Sequence, residues 1–332
     1  MNDMSATEME SEAGRRASGS SFYHAMRIMP KSQREAMFEI YSFCRAVDDI
    51  ADEPGPRDAR MAQLQRWRDD LAAIYAGTPP RGLNGLARAV KQFDLRQPDF
   101  LAIIDGMEMD VVSTIRAPDM DTLDLYCDRV ASAVGRLSVR VFGMAEAPGI
   151  ALAYHLGRAL QLTNILRDID EDSGIGRLYL PKELLNAAGI QSTDPAVALA
   201  SPRLNEVCQP LVVRAQKHFD ESEAIMAREP RRSVKTPRIM AAAYGMMLDQ
   251  IIARGWQPPR APIKLNKWQF GWILLRYAIV CCRAPSTSQA PVSPAFPLPF
   301  GSSIAASASP SMRPPTRPAG AAAPITIRSS TW

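Results

Sequence analysis

Two short acidic rows in this chain have the residue types and spacing to do chemistry on a phosphate ester. The first is Tyr41-x-x-x-Arg45-x-x-Asp48-Asp49-x-x-Asp52. On a helix of ~3.6 residues per turn, Tyr41, Arg45, Asp48 and Asp52 fall within about 60° of one another and share a face. The second is Gln161-x-x-Asn164-x-x-Arg167-Asp168-x-x-Glu171-Asp172. There Gln161, Asn164, Asp168 and Asp172 fall within roughly 80°. Amide and carboxylate oxygens are ligands for a hard cation, most plausibly Mg²⁺, with Mn²⁺ as the alternative. A buried row of this kind is costly unless cations neutralise it. One such row alone is usually a solvated helix face. Two rows more than 100 residues apart can instead face each other across a helical bundle, hold several Mg²⁺ ions and grip a diphosphate. Each row carries an arginine beside its carboxylates, Arg45 in one and Arg167 in the other. Arg177, in Gly174-Ile-Gly176-Arg177-x-Tyr179-x-Pro181, adds a third guanidinium suited to phosphate. The Gly-Ile-Gly turn is no dinucleotide fingerprint, because no strand precedes it and no helix start follows directly.

These residues need helices to position them, and the pattern supplies them. Met37, Ile40, Tyr41, Cys44 and Val47 recur at helical spacing after Pro30, and Pro54-Gly55-Pro56 ends that element. Further helical segments are predicted over 57–76, 82–93, 98–114, 119–143, 148–172, 201–228 and 236–255. The segment 57–76 carries one stripe of Met61, Leu64, Trp67, Leu71 and Ile74. In 98–114, Asp105, Glu108 and Asp110 form a third acidic patch, for which a solvated face is the favoured reading. Val130–Gly135 is rich in small residues, which either permits close helix packing or leaves room for an apolar chain. Tyr126, in the same segment, either stabilises a carbocation or relays a proton, or is an ordinary core tyrosine. Ser20 and Ser21 precede the first helix, where hydroxyls either cap a helix or bind phosphate. Lys235 and Arg238 are basic candidates for which surface solvation is favoured. No strand pattern and no repeat is sustained anywhere, so the fold class is all-α.

Composition narrows the class. The 332 residues are 46% hydrophobic and 22% charged with a net charge of +4, which suits a globular protein with a sizeable core. No basic run is interleaved with aromatics, so nucleic acid is not an expected partner. Five cysteines without a C-x-x-C pair, and only three histidines, argue against zinc and for a reducing, cytoplasmic setting. The polar first residues do not read as a secretory signal. No run reaches the ~18 apolar residues of a membrane span. The apolar run at 263–282 reads as a terminal core helix, or one that also touches a membrane surface. Residues 1–17 read as a disordered leader. Residues 284–332 hold ten of the 27 prolines and no acidic residue, and read as a disordered tail or a frameshifted end.

The motifs above, with Tyr126-Cys127-x-x-Val130-Ala131-x-x-Val134-Gly135, resemble the squalene and phytoene synthases over roughly residues 18–283. Within that family the wording is nearest to the bacterial hopanoid-pathway enzymes that make presqualene diphosphate. The resemblance implies a single isoprenoid-synthase-type bundle around a central cavity. It implies Mg²⁺-dependent joining of two farnesyl diphosphates, with squalene, dehydrosqualene and phytoene as alternative products. A non-catalytic helical scaffold is the remote alternative. Asp48, Asp52, Asn164, Asp168 and Asp172 would be the metal ligands. Ser20, Ser21, Tyr41, Arg45, Gln161, Arg167, Arg177, Tyr179 and Tyr244 would bind substrate, and Asp48, Asp52, Asp168, Asp172 and Tyr126 would act in catalysis. NADPH is not expected. A downstream squalene-forming enzyme and peripheral contact with the inner face of the membrane are the partners implied.

Overall fold

The computed structural model describes Met26, residues 28–112 and 115–263, and Trp272–Ile273. Ser20, Ser21, the leader, the tail and nearly all of the 263–282 run lie outside these described residues. Within them the chain is a succession of helices with no named strand. They are α1 (Lys31–Asp52), α2 (Arg57–Tyr75), α3 (Asn84–Phe93), α4 (Gln97–Val112) and α5 (Met120–Cys127). A π-helical turn, Asp128–Ser132, leads into α6 (Ala133–Val141). Then come α7 (Glu146–Arg167), α8 (Ile169–Gly174), α9 (Lys182–Ala187), α10 (Pro195–Leu199), α11 (Leu204–Arg228) and α12 (Arg231–Arg254).

Local chemistry sets many of these ends. Pro30 precedes α1, whose C-terminal neighbour Glu53 is extended because Pro54 disfavours helical backbone before it. Asp119 caps α5 by accepting from the Thr122 N–H at 2.7 Å. Asp194 does the same for α10 with Val197. The apolar stripe of α1 buries Met37, Ile40, Cys44 and Val47 against a core shared with α2, α4 and α7. Leu64, Leu71 and Ile74 of α2 are buried in that core, and Met61 and Trp67 pack on it.

Two expected helices are broken. The segment 119–143 is interrupted by the π turn, which buries Val130, Ala131 and Ser132. The segment 148–172 is divided at Asp168, where φ −98° and ψ 15° leave the helical region. The i→i+4 bonds survive that break: the Asp168 N–H donates to the Asn164 carbonyl at 2.9 Å, and the Asp172 N–H to the Asp168 carbonyl at 2.8 Å. The row therefore keeps its order. Helix α12 begins earlier than the pattern indicated, so Lys235 too lies inside it, and Arg238 donates to the Met226 carbonyl at 3.0 Å rather than being simply solvated. The short helices α9 and α10 had no signal in the periodicity.

Close approach of α7 to its neighbours depends on glycine. A Cβ on Gly157 would lie 2.7 Å from the Ser132 backbone, and one on Gly135 would lie 3.0 Å from Ala153. The small-residue segment thus does both things open to it, since Ala131, Val134 and Gly135 also line a cavity. On the other flank of α7, buried Arg158 forks onto Asp124 at 2.8 and 3.1 Å and ties α7 to α5.

Candidate active site

An apolar cavity runs between α1, α6, α7 and α12, with about 900 Å³ of empty space, mouth included. Its walls are almost wholly hydrocarbon: Met37, Phe142, Leu156 and Met240 are among them. Polar groups gather at one end, where Tyr41, Gln161, Asn164 and Tyr244 face it. Tyr41 and Cys44 on α1, and Gln161 and Asn164 on α7, are the last lining residues before Asp48 and Asp168, one turn further along. The two acidic rows therefore begin where the apolar lining stops.

The rows converge through residues from other elements. Arg177 links them: its guanidinium donates to Asp52 at 2.7 Å and to the Ala51 carbonyl at 3.1 Å and lies 3.9 Å from Asp110, while its backbone N–H donates to the Asp172 carbonyl at 2.8 Å. Asp110, on α4, is buried, with Tyr126 donating to one oxygen at 3.0 Å and Tyr179 to the other at 2.8 Å. The two phenol rings stack with centroids 5.0 Å apart. The favoured solvated reading of Asp110 is thus corrected. It sits three residues after Met107 and seven after Ile103, on the inward face of α4, and that spacing was the available signal. Asp105 and Glu108 do lie toward solvent, both held by Arg68. Hydrogen bonds between Leu178 and both Ile115 and Ala117 stitch the Arg177–Tyr179 segment to the α4–α5 connection.

The other guanidiniums also hold carboxylates. Arg45 pairs with Asp48 at 3.2 Å and Asp49 at 2.8 Å. Arg167 forks onto both oxygens of Asp168 at 2.6 Å. Tyr244 is buried and hydrogen-bonded to Asn164 and Arg167. Tyr126 and Tyr179 stand behind Asp110 and do not line the apolar cavity.

Burial pushes the Asp48 carboxyl well above the usual range, and the negative charge of Asp52 adds to it, against the pull of Arg45. Asp172 is raised by burial and then by Asp168. Asp110 is raised by burial, although Arg177 and the two phenols oppose the shift. Stacked buried carboxylates that repel one another are a site short of positive charge. The donors on offer are hard oxygens, and the buried Gln161 Oε1 accepts no hydrogen bond. This set fits a hard divalent cation by chemistry. Among the described residues, no three acidic, histidine or cysteine side chains already converge as a metal cage does.

The profile of the squalene/phytoene synthases matches residues 15–269. This chain belongs to that family. A presqualene diphosphate synthase of Rhodopseudomonas palustris is 63% identical over 264 residues, covering 80% of this chain and 95% of that protein. A squalene synthase from Alicyclobacillus acidocaldarius superposes with a TM-score of 0.67 at 27% identity, covering 76% of this chain and 98% of the other. A ligand-bound dehydrosqualene synthase superposes at 0.71, with 24% identity over 83% and 97% of the two chains. The bundle is therefore the all-α isoprenoid-synthase fold. Both motifs of this family member lie in α1 and across the α7–α8 junction, at the polar end of its cavity.

Proposed function

We propose that this chain is a Mg²⁺-dependent prenyltransferase that joins two farnesyl diphosphates head to head. The product is presqualene diphosphate, and one diphosphate is released. The observation that carries this reading is the junction itself: buried and half-buried carboxylates from two motifs, linked by Arg177 and Asp110, at the polar mouth of an apolar cavity. Identity of 63% to a presqualene diphosphate synthase favours this product over squalene, dehydrosqualene or phytoene.

In this reading Asp48, Asp52, Asn164, Asp168 and Asp172 hold Mg²⁺, with Mn²⁺ as a substitute. When bound there, the metal neutralises the diphosphate and makes it a better leaving group. Ser20, Ser21, Arg45, Arg167 and Arg177 bind diphosphate oxygens, since guanidinium planes match phosphate as they match carboxylate. Tyr41, Gln161 and Tyr244 orient the substrate at the polar end. Tyr126 shares Asp110 with Tyr179 and fixes the wall behind it. The C1–O bond of one substrate breaks, and the double bond of the other attacks C1. Loss of a proton, taken by the departing diphosphate, closes the cyclopropane. The hydrocarbon lining keeps water from the allylic cation. In this reading the enzyme works in the cytoplasm, in peripheral contact with the inner membrane face, and passes its product to a downstream squalene-forming enzyme. No described helix is long and apolar enough to cross a membrane.

The test is incubation with farnesyl diphosphate and Mg²⁺, with and without NADPH, followed by identification of the lipid. Presqualene diphosphate in both arms supports the reading. Squalene formed only with NADPH, or no metal-dependent product, refutes it.

A further inference from the structure

The apolar cavity has a second neighbour at its far end. A polar pocket lies between the α3–α4 connection, α6 and the start of α7, lined by Asp94, Arg96, Asp99, Arg136, Arg140 and Glu146. Its arginines are already matched: Arg140 to Asp94 at 2.7 Å, Arg136 to Asp99 at 2.6 Å, and Arg96 to Glu146. The Asp94 and Glu146 side chains are 91% and 57% exposed, so this pocket is open to water. Val139 belongs to the lining of both spaces.

The helix pairing fixes which end this is. Helices α6 and α7 run antiparallel, with Gly157 against Ser132, Gly135 against Ala153 and Gly149 against Val139. Gly149 is thus about 22 Å along α7 from Asn164 at ~1.5 Å per residue. Behind Val139 the packing is tight, since a Cβ on Gly149 would stand 3.2 Å from Val139 Cγ2 and 3.5 Å from Met144 Cβ. Val139 is the side chain that a hydrocarbon-lined space and a wet, charged one have in common.

We propose that Val139 is the end wall of the cavity, setting the length of prenyl chain accepted and sealing the cation's chamber from the polar pocket. This rests on the prenyltransferase reading. Removing two methyl groups opens the wall and lengthens the cavity. It also lets water reach the allylic cation. Water then adds at C1 as the C1–O bond to diphosphate breaks, giving a prenyl alcohol, diphosphate and a proton released to solvent. Enlarging the side chain shortens the cavity.

The experiment compares geranyl, farnesyl and geranylgeranyl diphosphates, by turnover with Mg²⁺ and by equilibrium binding. The proteins are wild type, Val139→Ala, Val139→Phe and the exposed control Val213→Ala. Val139→Ala should raise the geranylgeranyl-to-farnesyl ratio of kcat/KM by about tenfold, the scale of one apolar pocket change, with a larger share of prenyl alcohol. Val139→Phe should shift preference toward geranyl diphosphate, and Val213→Ala should leave both ratios unchanged. Val139→Leu replaces any variant that does not fold. Ratios within about twofold of wild type in folded Val139 variants overturn the inference. If the wild type binds these diphosphates without turning them over, the prenyltransferase reading falls, and the end wall is judged on the binding ratios. If it neither binds nor turns over any of them, both fall.

Discussion

Replacing Gly157 by alanine tests whether the crossing of α7 over the π turn is rigid. An ideal Cβ at Gly157 would stand 2.7 Å from both the Cα and N of Ser132, and 2.8 Å from its hydroxyl. Two of those three atoms are backbone, in a buried turn, and cannot swing aside. Overpacking of this kind costs about 1–3 kcal/mol. Against it, alanine is the better helix former by about 1 kcal/mol. Because the obstructing atoms are backbone, the clash outweighs this, with a net loss of up to about 2 kcal/mol, or a few degrees in melting temperature for a chain of this size. Gly245 in α12 is the matched control, because a Cβ there meets nothing within 4 Å. Gly245→Ala should be neutral or stabilising. The functional effect of Gly157→Ala should exceed the thermal one. Relief of the clash displaces α7, which carries Gln161 and Asn164 toward Asp168, and misplacement of ~1 Å costs on the order of 100-fold in rate. Thermal melts and kcat/KM on farnesyl diphosphate read both effects. A Gly157→Ala protein that melts at or above the Gly245→Ala temperature would refute the reasoning.

Other expectations follow from the same geometry. Asp48→Asn and Asp168→Asn should each abolish turnover with helical content by circular dichroism unchanged; near-normal activity in either removes the metal roles. Asp110→Asn keeps the shape behind Tyr126 and Tyr179 but lowers the site's negative charge, so turnover should fall by about 10–100-fold while metal-free stability holds or rises. A melting temperature several degrees below wild type would contradict this. His155 and His218 meet ring to ring, 3.0 Å apart, between α7 and α11. Burial lowers both, His218 to about 4, with His155, Arg214 and Arg158 adding to the latter shift. The fold therefore favours the neutral imidazoles. Their contribution is fully present above pH ~6.5, the unfolded value, and is lost as pH falls toward about 4. Denaturant midpoints for wild type and His218→Asn across pH 4–7 should diverge, with the variant the flatter; parallel curves would exclude the pair as the cause.

Much of the site was legible because helical spacing is a local property. Tyr41, Arg45, Asp48 and Asp52 had to share a face if α1 formed, and its apolar repeat and flanking prolines said that it would. The same held for Gln161, Asn164, Asp168 and Asp172, even though the helix breaks at Asp168, because the backbone bonds on either side carry the register through. Asp110 was visible as an acidic residue on an inward stripe. Its burial, however, depends on two tyrosines and an arginine brought from two other segments, and no local rule supplies those. The same is true of the fork of Arg158 onto Asp124 and of the pairing of His155 with His218.

The sequence by itself determined an all-α chain and two acidic rows with their arginines, because periodicity of ~3.6 residues assigns faces without knowing the partner. Only the tertiary structure decided which faces meet. It set Arg177 across Asp52, put phenols behind Asp110, and brought one valine into the lining of both an oily chamber and a charged pocket. Those outcomes hinge on how closely α7 can approach α6 and the π turn. That approach is fixed at Gly135 and Gly157, where an added Cβ would stand only 3.0 Å from Ala153 and 2.7 Å from Ser132, residues far away in the chain.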